Sequence, residues 1–151
     1  MQKINTRRAL LGGIVAALII NLIEGVMNGV VLKNDWSAAM QALGKSGELS
    51  GGAIAIYNIG GLLYGIIGVW LYCALIARYG SGSKTSAKAG LVLWALTSAL
   101  PMLMWVPTGV LPAHLMTMSV VIDFIAILLG VTMGALLYRE EPIPLARPVH
   151  A

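Results

Sequence analysis

Four long apolar runs separated by short polar stretches dominate the chain. They extend from Ala9 to Leu32, Gly52 to Ala77, Ala89 to Val106 and Ala113 to Tyr138. A helix rising 1.5 Å per residue needs about 20 apolar residues to cross a hydrocarbon core about 30 Å thick, and each run approaches or exceeds that length. In lipid a continuous helix satisfies its own backbone groups, which an open strand cannot do. The pattern predicts an all-α integral membrane protein, a four-transmembrane-helix bundle with residues 1–151 as one membrane domain. The expected helices are 9–32, 52–77, 89–106 and 113–138. The third is the shortest and contains Pro101, which predicts a kink.

The connections carry their own signals. Between the first two runs, Asn34 and Asp35 are good helix-capping residues. Trp36, Met40 and Leu43 then recur at i, i+4 and i+7, and Gly44 is placed to stop the turn. A short amphipathic helix over 35–43 is expected, with Trp36 as an anchor at the membrane interface. The 79–86 segment is a tight polar loop whose glycines lack the spacing of a phosphate-binding loop. The tail over 142–151 contains three prolines and is read as irregular. Lys3, Arg7 and Arg8 before the first run resemble the start of a signal peptide. The run that follows is too long for a signal core of about 7–15 residues, so it is read as a retained helix.

Composition agrees with the pattern. Hydrophobic residues make up 58% of the 151 positions and charged residues only 11%. A soluble fold with this content would expose large apolar patches and aggregate. The net charge of +4 would suggest nucleic acid in a soluble protein. Here the basic residues sit at the ends of apolar runs, where they set topology, so the expected partner is the lipid bilayer and not nucleic acid. Lys3, Arg7, Arg8, Arg78, Lys84, Lys88, Arg139 and Arg147 fall on one side, against Lys33 and Lys45 on the other. The positive-inside rule then places both termini in the cytoplasm, most naturally at a bacterial inner membrane.

Three helices carry small-xxx-small motifs: Gly25 with Gly29, Gly61 with Gly65, and Gly130 with Gly134. Such spacing lets helix backbones approach closely where no hydrophobic force drives association. It predicts a tight bundle, and either a homo-oligomer or a place in a larger membrane protein complex. A faint repeat links helices two and four: Asn58, Gly65 and Tyr72 in one match Asp123, Gly130 and Tyr138 in the other.

Only two acidic residues, Glu24 and Asp123, lie within the spans. Intramembrane acids are costly and face partners or cavities. Asn21, Glu24 and Asn28 share one face of the first helix, and Asn58 stands in the second. By helix rise, Glu24 lies about 12 Å, Asn58 about 10 Å and Asp123 about 15 Å from the end away from the termini. Asn21, Glu24, Asn28, Asn58 and Asp123 therefore form one candidate intramembrane polar cluster. Two carboxyls in a dry site cannot both be ionised, which suits proton exchange. The competing readings are a hydrogen-bonded cluster that fixes helix register, and a pocket for a pigment or cofactor metal.

Other chemistry has less support. The single cysteine, Cys73, lies inside an apolar run and is read as a packing residue. No zinc spacing, CxxC or haem-attachment motif occurs, so no metal site and no particular cofactor is indicated. The Met102/Met104 and Met116/Met118 pairs near His114 invite copper(I), but methionine is more commonly adaptable filler. No nucleophile–base pair is visible, so an enzyme is the least supported class. Small multidrug transporters also have a glutamate in their first helix, but this connecting loop is longer and the surrounding motifs do not correspond, so no family is assigned. The leading expectation is a non-enzymatic accessory or structural subunit of a membrane assembly. The alternatives are a small proton- or cation-coupled transporter using Glu24 and Asp123, and a pigment- or cofactor-binding subunit.

Overall fold

The computed structural model describes residues 4–138, which form helices joined by short turns and loops, with no strand among them. The expected tail over 142–151, with Lys3, Arg139 and Arg147, lies outside the described residues. Helix α1 runs from Thr6 to Val26 and continues as a π-type turn through Met27–Val31. Helix α2 spans Lys33–Ala42 and α3 spans Gly51–Tyr79. Helix α4, Ser83–Trp94, passes through a second π-type turn, Ala95–Ala99, into α5, Leu100–Trp105. Helix α6 covers Ala113–Leu136.

Four continuous helical stretches are long and apolar enough to cross a membrane: Thr6–Val31, Gly51–Tyr79, Ser83–Thr108 and Ala113–Leu136. The shortest has 24 residues, about 36 Å of helix, which exceeds the hydrocarbon thickness. The chain is an integral membrane protein with a bundle of four such helices. One end of the bundle carries Asn5, Tyr138 and the loop around Gly80. The other carries α2 and the turn around Gly109.

Local chemistry explains the boundaries. The Asn5 side chain accepts from the Arg8 backbone N–H and caps α1, and Ser50 accepts from Ala53 and caps α3. Gly80, which ends α3, and Gly44, after α2, both have positive φ, a region other residues enter at a cost. Helix α2 starts at Lys33, so Asn34 and Asp35 lie inside its first turn and do not cap it. The reason is continuity: Leu32 N–H bonds back to Met27 and Trp36 N–H to Leu32, leaving no gap for a separate cap. Pro101 acts through the preceding turn. It cannot donate to Thr97, and the Leu100 N–H reaches back to Ala95 instead, so the helix absorbs the proline by widening one turn.

Around the bundle, α1 packs on α3 and α6, and α4 packs on the same two helices. Helices α3 and α6 also touch across the middle. The core comprises Ile20, Val69, Tyr72, Leu93, Ile127 and Val131 among others. It lies towards the end that holds the termini. Tyr72 and Tyr138, matched positions of the faint repeat, meet there edge to face with ring centroids 6.3 Å apart. The Tyr72 hydroxyl accepts from Gly82 N–H and that of Tyr138 from Asn5 N–H. Cys73 is buried in this core.

The α2 end is built differently. No residue of α1 beyond Ile20 is buried, and no residue of α3 before Gly61. The bundle therefore has a close-packed half and a loosely packed half, and the polar residues lie at the boundary.

Candidate functional site

Close packing in the first half depends on glycine. Gly65 sits against the backbone of Gly13 and Ala17, Gly130 against Ile20 and Ala16, and Gly134 against Gly12 and Val69. Helix α1 is thus held on one side by α3 glycines and on the other by α6 glycines. Its own contact surface comes from Gly12 with Ala16 and Gly13 with Ala17, two further small-xxx-small pairs. Gly25 and Gly29 have no other part of the described residues within 4 Å of where a Cβ would be, their own helix backbone aside, so their stripe faces away from the bundle beside exposed Leu22 and Val30.

One turn beyond this seam the polar residues begin. Asn21 lays its amide across Gly61, whose missing side chain makes the room, and donates to the Asn58 backbone carbonyl at 3.0 Å. The Asn58 side chain is exposed and bonds to Ile54 in its own helix at 2.8 Å. It therefore takes part through its carbonyl and does not join the carboxyls.

Glu24 and Asp123 do meet. The two carboxyls, from α1 and α6, are hydrogen-bonding neighbours. Glu24 Oε2 accepts from Asn28 Nδ2 at 2.7 Å, while Glu24 Oε1 is buried with no donor among the described residues. A contact between two carboxyls needs a proton on one of them. One proton shared by the pair meets that need. Asn28 in turn accepts from the Trp36 indole at 3.0 Å, so Trp36 lies within the hydrogen-bonded cluster.

Tyr64 of α3 completes the group. It is half-buried and lies near both carboxyls. Sequence reading passed over it. Its signal is its position between two packing glycines, three residues after Gly61 and one before Gly65, which turns it towards α1 and α6. No salt bridge or basic side chain reaches this cluster among the described residues.

No family model matches this chain, and neither does any curated protein or solved structure. The site brings together two carboxyls, a phenol, two amides and an indole at the floor of the loosely packed half. Among the described residues no group of three or more His, Cys, Asp or Glu could hold a metal ion. Each Met pair is spaced i, i+2 on a helix, about 200° apart around the axis, so its two sulfurs diverge. His114 lies exposed in the first turn of α6.

Proposed function

We propose that this protein binds and exchanges protons within the membrane, as a small proton- or cation-coupled transporter whose working groups are Glu24 and Asp123. The observation that carries the reading is the pairing of these carboxyls across the α1–α6 contact, with no basic side chain beside them among the described residues. A register-fixing cluster needs no charge, since asparagines and glutamines hold helices together at lower cost. A carboxyl pair is the form that can take up and release a proton at one place.

Access supports the same reading. Between the pair and the end with the termini lie Ile20, Val69, Ile127 and Val131, all fully buried. Towards the α2 end, α1 and α3 have no buried residues. With the Lys/Arg count of eight against two, the loose half faces the outside of a bacterial inner membrane and both termini face the cytoplasm. Protons then reach Glu24 and Asp123 from outside, and α2 lies at the outer interface.

The test is proton flux through the purified chain in sealed liposomes enclosing a pH-sensitive dye. Glu24→Gln keeps the acceptor for Asn28 but removes the titrating group. Flux should fall about tenfold or more, equivalent to at least about 1.4 kcal/mol of barrier. Unchanged flux in Glu24→Gln, or no flux above empty liposomes in the parent chain, sinks the proposal.

The outward Gly25–Gly29 stripe favours a second reading, an accessory subunit that packs against a second copy or a larger membrane protein. The two readings are compatible if the stripe builds the assembly and the carboxyls do the work. Gly25→Leu or Gly29→Leu should leave the monomer's thermal unfolding unchanged and lower the oligomeric mass measured in mild detergent. An unaltered mass removes the stripe from any interface.

A further inference from the structure

We propose that Trp36 is a positioning residue: through Asn28 it fixes which oxygen of Glu24 is open to a proton, and so ties α2 to exchange at the carboxyl pair. The inference rests on the proton-exchange reading and adds a component outside the spans.

The argument follows from donor and acceptor types. An indole N–H can only donate, and an amide NH2 can only donate. The orientation of an asparagine amide is usually ambiguous, because its oxygen and nitrogen have similar outlines. Here Trp36 decides it. The Asn28 oxygen must face the indole, at 3.0 Å, which turns the Asn28 nitrogen onto Glu24 Oε2, at 2.7 Å. Oε2 is then committed as an acceptor. A proton at this site resides on Glu24 Oε1 or on Asp123, never on Oε2. Without Trp36 the Asn28 amide can turn over, present its oxygen to Glu24, and draw the proton to Oε2, away from Asp123.

The backbone is shaped for this connection. The π-type turn at Met27–Val31, closed by Leu32 N–H bonding to Met27 at 2.8 Å, begins three residues after Glu24 and runs almost directly into α2. π-Turns of this kind are frequent at functional sites. This one sets Asn28 between Glu24 on α1 and Trp36 on α2. The groups facing Glu24 are Asp123 from α6, Tyr64 from α3 and Asn28 from its own helix. Helix α2 reaches it through the Trp36–Asn28 bond, and its charged residues Lys33 and Asp35 are exposed.

The experiment is an indole 1H–15N NMR titration of the full chain in lipid nanodiscs, alongside an infrared titration of the carboxyl C=O band. The four tryptophans give four indole cross-peaks, and Trp36→Phe identifies the one that matters. The Trp36 peak should move with pH, with the same midpoint as the carboxyl band. The movement should vanish in Glu24→Gln and in Asn28→Leu, and persist in Asp35→Asn. Should Asn28→Leu fail to fold, Glu24→Gln, which retains an acceptor for Asn28, decides alone. A stationary Trp36 peak beside a titrating carboxyl band overturns this inference and leaves the proton-exchange reading standing. A peak that still moves in Glu24→Gln also overturns it. A stationary peak with no titrating carboxyl overturns both.

Discussion

Leucine at position 134 should take the bundle apart. A Cβ at Gly134 would lie 2.8 Å from a methyl of Val69 and 3.0 Å from the Cβ of Ala16, and would press on the Gly12 carbonyl. These neighbours belong to α3 and α1, so no single side-chain rotation relieves the crowding. One of them is backbone, which cannot yield without moving α1. Overpacking a core costs about 1–3 kcal/mol where side chains can adjust. Gly134→Leu should meet or exceed the top of that range, seen as loss of the cooperative thermal transition in detergent. Gly29→Leu is the matched control, because it adds the same side chain where nothing stands within 4 Å. If Gly134→Leu melts like the parent, close contact between α1 and α6 is not what holds them.

Asp123→Asn should separate function from stability. The amide keeps the size of the side chain and replaces the shared proton with a fixed N–H donor beside the Glu24 carboxyl. A supplied hydrogen bond contributes about 1 kcal/mol, more when the acceptor is charged. The variant should therefore melt at or above the parent's temperature while its proton flux falls about tenfold or more. Such an opposition is the mark of a site kept for activity at a cost to the fold. A purely structural cluster predicts unchanged flux, because an asparagine at position 123 still hydrogen-bonds to Glu24. A variant that melts lower and conducts normally ends the transporter proposal.

The four spans were legible because lipid imposes length and apolarity on any helix that crosses it. Glu24 and Asp123 were legible for the same reason, as the exceptions that stand out against an apolar background. The contacts were harder to read. Gly25 with Gly29, Gly12 with Ala16 and Gly13 with Ala17 all carry the spacing of a packing face, yet only the last two pairs make the contact, because which face of an apolar helix turns inward depends on neighbours that periodicity does not record. Asn58 suggested a side chain in the cluster, but its amide satisfies itself on Ile54 and its carbonyl receives Asn21. Tyr64 drew no attention because a tyrosine in an apolar run is ordinary until its neighbours are known. The link from Trp36 to Glu24 depends on a π-type turn, which no local sequence signal announces.

The seam between Gly12 and Gly134 joins the first of these four spans to the fourth. During synthesis α1 is made well before α6, so Glu24 precedes Asp123 into the bilayer. Until the fourth span arrives the acid has only Asn28, on its own stretch of helix, as a hydrogen-bond partner. Closure of the bundle therefore waits on α6, and pairing of the two carboxyls is the step that completes it.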